Sequence, residues 1–358
     1  SSDCKKQTIT QSTNSSYEVN LVSKIINKEK NMKALTQHLQ LGMKFLIINP
    51  DANPTQKGYA RKIFVLYLIG RFGYSSKIVC QYALQLPREA INKLFRKLLM
   101  DGLINERRSF GSKDGAVYYL SSKGKRYVSF ETDMVLNQKT DTSAHNSKTE
   151  IHDLSVQVCV IDRLQNSAEY SAFVTEKELR EIGYGTLGEF KKERAVDALL
   201  YCNQSPEGQW HAIEMECANS KNKKTAQYNV REDILNKYLV QLEDSNGLYT
   251  RILFFSHRER FLRQIKTRID EISQDSKMNY TLNQKELINT QLKYVHSFCP
   301  TLYNLFWNMD FKLEQATHIK VEIEKLNSLF QSARENQVLS EQFKDGYQKA
   351  LKDMNIKI

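Results

Sequence analysis

Three acids in two short apolar runs carry the possible chemistry of this chain: Asp197 in "AVDALLY", then Glu214 and Glu216 in "WHAIEMEC". Alternate side chains of a strand share a face, so Trp210, Ala212, Glu214 and Glu216 fall on one side. His211, Ile213, Met215 and Cys217 fall on the other. Asp197 stands in so apolar a setting that an unpartnered carboxylate there is costly. Two acids on one strand and one on its neighbour offer the hard oxygen ligands that Mg2+ or Mn2+ prefers. Such an ion polarises a phosphate and lowers the pKa of an attacking water. A lysine nearby would complete the set by neutralising developing charge, and Lys221, Lys223 and Lys224 follow closely. The plainer reading of Glu-x-Glu in a strand is a solvated sheet face, and from these residues alone both readings stay open.

Other chemistries are narrowed by what the sequence lacks. "GYGTLG" at Gly183 to Gly188 satisfies GxGxxG, but it follows a helical pattern and precedes a strand, the reverse of a dinucleotide fingerprint. The sequence holds no GxxxxGK[ST] phosphate loop, and its 7 histidines never fall at His-x-His or His-x3-His spacing. The 6 cysteines are scattered singly and read as reduced core thiols of a cytosolic protein.

The elements that would position these groups follow from periodicity. Residues 1–54 form a polar arm with short helices. "YARKIFVLYLIGRFG" and "SSKIVCQYALQL" read as helices, the second capped by Ser75 or Ser76. Pro87 opens a third, "PREAINKLFRKLLMDG", with Ile91, Leu94, Leu98 and Leu99 as its apolar stripe. Two strand-like runs about a Gly- and Asp-bearing turn come next. Three helices and a basic hairpin are the order of a winged helix-turn-helix, expected over 55–132, whose third helix enters the major groove. Arg88, Asn92, Lys93, Arg96 and Lys97 lie off the apolar stripe, and Arg107, Arg108 and Lys113 would ride on the wing. A solvated helix face or a protein-docking module is the plainer alternative.

A linker is expected over 133–149. From 150 to 282 strands and helices alternate as α/β: "TEIHDLSVQVCVIDRL" a buried helix, "TEKELREIG" a short one, the two acid-bearing strands, a basic amidic helix, the strand "LYTRILFFS" and the helix "HRERFLRQIKTRIDEI". Residues 283–358 read as a helical C-terminal region. Lys+Arg outnumber Asp+Glu by 52 to 41, a net charge of +11, which favours a polyanionic partner. The longest apolar run, "IFVLYLIG", is too short to span a bilayer, and no signal peptide is visible. A soluble cytoplasmic protein is expected, with no membrane partner and the oligomeric state undetermined.

An Asp followed after a gap by Glu-x-Glu on the next strand resembles the PD-(D/E)xK restriction-endonuclease-like nucleases. More specifically, "IHDL", "TEKELR", "VDALL", "IEMECANSK" and "QYNVREDILNKY", in that order, resemble the replication-relaxation family with its MobC-type plasmid relaxases. The resemblance covers roughly residues 55–260. It implies Asp197, Glu214 and Glu216 as metal ligands, Lys221 as a migrated lysine, and Glu176 as the extra acid on the preceding helix. His152 with Asp153 matches the family's His-Asp pair, and Tyr228 matches a tyrosine near the DNA backbone. Val196 departs from the motif's proline, and Glu216 from its lysine. The implied activity is site-specific nicking at a plasmid transfer or replication origin, on double-stranded and locally melted DNA. Accessory mobilisation proteins are candidate partners. Whether water or a tyrosine such as Tyr228 or Tyr238 attacks stays open. The alternative is a non-catalytic DNA-binding replication initiator or regulator on a degenerate nuclease fold; a restriction or transposon-end nuclease is a third reading.

Overall fold

The computed structural model describes residues 48–109, 112–136, 149–181, 196–204, 209–217, 238–239, 241–243, 247–274 and 280–308. The fold is mixed, with helices and one five-stranded sheet beside a small hairpin. The described residues up to Phe306 belong to one compact unit.

The first helix, α1 (Pro54–Phe72), begins in a capping box in which Asn53 accepts from the Gln56 amide and Gln56 from the Asn53 amide. It stops at Gly73, whose φ of 88° only glycine adopts easily. Ser76 caps α2 (Lys77–Leu84), and Pro87 precedes α3 (Arg88–Met100). Ile91, Phe95 and Leu98 form the buried stripe of α3; Phe95 takes the place expected of Leu94 because it meets Tyr118 edge-on at 4.7 Å.

The antiparallel strands β1 (Ile104–Arg108) and β2 (Ala116–Leu120) complete this segment in the order the periodicity predicts. Asp114, in their turn, accepts from the Ile78 amide at 2.8 Å and pairs with Arg88, tying the hairpin to α2 and α3. The second strand ends sooner than expected. Ser121 caps a further helix, α4 (Ser122–Thr132), with Gly124 pressed against Leu103: a Cβ there would stand 1.9 Å from the Leu103 carbonyl oxygen.

The sheet runs in the order β3 (Tyr170–Thr175), β4 (Ala198–Cys202), β5 (Gln209–Met215), β6 (Arg251–Phe255), β7 (Leu292–Tyr294). Its first two pairings are antiparallel and its last two parallel. The expected buried helix is α5 (Glu150–Asn166), which packs across β3, β4 and β5. The expected short helix, α6 (Glu176–Glu181), follows β3 directly. The other sheet face is covered by α7 (Glu259–Gln274) and α8 (Leu282–Gln291), whose Leu262, Ile265, Ile269 and Ile288 join the core that holds Trp210, Ala212 and Phe254. Beyond β7 the described chain continues through a 3-10 turn, α9 (Cys299–Leu302) and a π turn (Tyr303–Trp307). The strand β7 lies beyond residue 282, where a purely helical region is expected from sequence; it extends the sheet in parallel beside β6.

A buried ion pair fastens the N-terminal helices to the sheet. Arg71 on α1 meets Glu178 on α6, and its guanidinium also donates to the Phe173 carbonyl oxygen at 2.6 Å. Glu178 in turn accepts from the Thr175 amide at 2.9 Å. Among the described residues no helix is long and apolar enough to cross a membrane.

Candidate functional site

Strand order brings the acids together at one end of the sheet. The Thr175–Ala198 and Ala198–Ile213 pairs close the β3–β4–β5 ladder, and one step further stand Glu176, Asp197 and Glu214. Backbone bonds fix this step: the Glu176 amide donates to the Asp197 carbonyl oxygen, and the Asp197 amide to that of Ile213, each at 3.2 Å. Glu216, just past β5, donates its amide to the Phe255 carbonyl oxygen at 2.8 Å.

Neither face of β5 is a wet sheet face. Glu214 is 4% exposed and His211 on the opposite side only 2%. The Glu214 face lies beneath α7 and α8 with Tyr238 beside it. Burial first, then the negative charge of Glu214 and Glu216, holds the Tyr238 phenol well above its ordinary range.

Asp197 is engaged on its other side. Its Oδ2 accepts from the Met215 amide at 2.7 Å and lies 3.3 Å from His152 Nε2. His152 Nδ1 lies 3.0 Å from Asp153 Oδ1. Asp153 Oδ2 accepts from the Tyr74 hydroxyl at 2.7 Å and from that of Thr149 at 3.2 Å. A continuous chain therefore runs Tyr74, Asp153, His152, Asp197, Met215. Burial, the largest single influence, lowers the His152 pKa, but the Asp197 charge and the hydrogen bonds to Asp153 and Asp197 together carry it well above the ordinary imidazole range. His152 thus sits between two carboxylates, an arrangement that favours its protonated form. Tyr74 lies far from Asp153 in sequence, and no local signal announces it.

These groups open on a cleft of about 460 Å3 lined on one side by the α1–α2 turn and Tyr119, on another by α5 and α6. His152, Asp153, Glu176 and Asp197 all reach it, as do Lys177 and Arg180. Glu176 accepts from Arg180 at 3.0 Å.

Among the described residues no three His, Cys, Asp or Glu side chains form a ligand group. Asp197 is committed to an amide and to the His152 ring, and Glu176 to Arg180. Lys221 and Tyr228 lie outside the described residues.

The expected DNA-facing residues divide into two groups. Lys93, Arg96 and Lys97 are exposed on one side of α3 and Arg108 on β1, with Asn92 half-buried. Three others have partners within the chain. Arg88 is bound to Asp114, Lys113 donates to the Asn304 carbonyl oxygen at 3.4 Å, and the Arg107 charge lies beside the Tyr119 hydroxyl.

Comparison with known proteins is silent. No family model, curated protein or solved structure matches the chain. The resemblance to replication-relaxation proteins therefore rests on its motifs alone.

Proposed function

We propose that this protein binds DNA and cleaves one strand at a specific site, as a nicking endonuclease or relaxase acting at a transfer or replication origin. The observation that supports this best is the gathering of Glu176, Asp197, Glu214 and Glu216 at the ends of three adjacent strands, beside the His152–Asp153 pair and a cleft. In this reading α1–α3 and the β1–β2 hairpin are a winged helix-turn-helix, and the sheet with α5–α7 is a PD-(D/E)xK-like domain. Lys93, Arg96, Lys97 and Arg108 would contact phosphates and give salt-dependent affinity.

The chain's own residues supply charge and position. The His152 ring is fixed by Asp153 from behind and presents its Nε2 face to Asp197 at the cleft. With both ring nitrogens facing carboxylates, His152 would orient Asp197 rather than meet the phosphate itself. Mg2+ or Mn2+ is the proposed cofactor on the chemistry of Asp197, Glu214 and Glu216 only, and it would supply polarisation of the phosphate when bound.

One observation favours a second reading, a non-catalytic DNA-binding initiator or regulator. The carboxylate at the centre, Asp197, already accepts from the Met215 amide and faces His152. Purified protein, incubated with supercoiled origin-bearing plasmid and Mg2+ or Mn2+, separates the two readings. Conversion to relaxed circles supports nicking; retention of the plasmid without conversion supports the second reading.

A further inference from the structure

The two aspartates that flank His152 differ in how firmly they are held. Asp197 is 8% exposed, whereas the Asp153 side chain is 36% exposed. A carboxylate that open to water gains little from an ion pair by itself, because solvent satisfies its oxygens in several rotamers. For Asp153 to fix the His152 ring, something firmer must fix Asp153.

That support comes from Tyr74, next to Gly73 in the α1–α2 turn. Its hydroxyl donates to Asp153 Oδ2 at 2.7 Å, leaving Oδ1 to face His152 Nδ1 at 3.0 Å. Thr149 adds a longer bond to Oδ2, 3.2 Å, from the exposed start of α5. Tyr74 is only 9% exposed, and the turn around it is gripped from three sides. The Gln157 side-chain amide on α5 donates to the Tyr74 carbonyl oxygen at 2.9 Å. Ser75 exchanges backbone bonds of 3.1 and 2.9 Å with Tyr118 of β2. The Thr175 hydroxyl, at the end of β3, donates to the Arg71 carbonyl oxygen at 3.1 Å. Burial, followed by the Asp153 charge, keeps the Tyr74 phenol well above its ordinary range, so it stays the donor of the pair.

Support therefore runs inward. The buried tyrosine fixes Asp153, Asp153 fixes the His152 ring, and His152 Nε2 stands 3.3 Å from Asp197 Oδ2. Tyr74 belongs to the segment that carries α2, α3 and the hairpin, and Asp197 to the sheet. A second tyrosine joins the same two parts: Tyr82 on α2 donates to Asp162 on α5 at 2.8 Å. Asp162 leads on only to its neighbours Arg163 and Asn166.

We infer that Tyr74 is a positioning residue for Asp197, acting through Asp153 and His152, so that the α1–α2 turn of the DNA-binding segment holds the acid end of the sheet in its working geometry. This rests on the DNA-cleaving reading for what Asp197 does. Groups that orient a reacting acid from one remove contribute about 10–100-fold, and two removes put Tyr74 at about tenfold.

The test compares Tyr74→Phe with Tyr82→Phe in the full chain, each the loss of one hydroxyl between the same two parts of the fold. The first readout needs neither metal nor cleavage. In EDTA at neutral pH, an imidazole N–H held by a carboxylate exchanges slowly enough to be seen in a 1H–15N spectrum. The His152 Nδ1 proton, identified by its absence from His152→Gln, is expected in wild type and in Tyr82→Phe and is broadened away in Tyr74→Phe. The second readout is the nicking rate on saturating supercoiled origin-bearing plasmid with Mg2+ or Mn2+. It should fall about tenfold in Tyr74→Phe and stay within about twofold of wild type in Tyr82→Phe, with half-saturation unchanged in both. Asp153→Ala should lose about as much, and adding Tyr74→Phe to it nothing more, because both remove one link. Should Tyr74→Phe fail to fold, Asp153→Ala carries the test alone, and a wild-type nicking rate there overturns the proposal. A wild type without the proton, a folded Tyr74→Phe that keeps it, equal nicking by the two tyrosine variants, or additive losses in the double variant overturn it as well. A Tyr74-dependent proton in a wild type that binds plasmid without nicking sinks the cleavage reading and leaves the Tyr74 support of His152 and Asp197 standing.

Discussion

Removing Glu178 should strongly destabilise this protein, although it lies outside the acid cluster. Arg71 is fully buried, and Glu178 is 7% exposed. Burial works to lower the Arg71 pKa, and Glu178 overcomes it, holding the guanidinium more firmly charged than in water. Glu178→Ala removes the carboxylate and leaves that charge with the Tyr67 hydroxyl, the Phe173 carbonyl oxygen and the Phe173 ring 4.0 Å away. Stranding one member of a buried pair costs about 3–5 kcal/mol, against a total stability of about 5–15 kcal/mol for a typical domain. With a urea slope of about 3 kcal/mol per M, the midpoint should fall by about 1 M or more. The double variant Arg71→Met/Glu178→Leu should recover most of this, since a matched apolar pair carries no stranded charge. Because the pair joins α1 to α6, circular dichroism and tryptophan fluorescence should report one coincident transition. A midpoint unchanged in Glu178→Ala, or a double variant worse than the single, would refute the reasoning.

The remaining predictions concern pH, packing and DNA. Burial first, then Arg251, holds His211 down to about 4 from an ordinary 6.5. The unfolded chain takes up this proton first, so the stability contributed by neutral His211 is intact above about 6.5 and lost as pH falls towards about 4. His211→Gln should flatten the fall in melting temperature across that window, and an unchanged slope would count against the assignment. Gly124→Ala should be destabilised by about 3 kcal/mol or more in denaturant titration, because its Cβ would stand 1.9 Å from the Leu103 carbonyl oxygen; a variant as stable as wild type contradicts the packing. Replacing Lys93, Arg96 and Lys97 together by Ala should lower DNA affinity uniformly across sequences and reduce the slope of log K against log salt by about 2–3. Arg88→Ala should act instead on stability, since Asp114 holds that side chain.

Much of the helical frame was legible because its signals are local. Ser76 and Pro87 announce two helix starts, while the first helix begins at Pro54, before the Tyr59 at which its periodicity becomes readable, and the Ile91–Leu98 spacing announces the buried stripe of α3. The acid-bearing strands were legible from their apolar runs, and the cost of burying Asp197 correctly marked it as partnered. What escaped has long-range causes. "YSAFVT" becomes β3 through pairing with β4, although it lies between two helical patterns without a turn signal. The three residues of β7 are too few to show a period and are strand only because β6 runs beside them. "SSKGKRYV" reads as hairpin, yet Ser121 caps a helix there and Gly124 fits under Leu103. At the site, His152 and Asp153 adjoin in sequence, but Tyr74 and Gln157 join them only through the packing of α1, α2 and α5.

The central claim is that the acids around Asp197 cleave DNA, and the most direct measurement is strand scission itself. Supercoiled origin-bearing plasmid is incubated with Mg2+ or Mn2+ and either wild type or Asp197→Ala, with folding of the variant confirmed by circular dichroism. The account predicts relaxed circles from wild type and none from the variant. Equal relaxation by both proteins, or no relaxation by wild type that binds the same DNA, would contradict it.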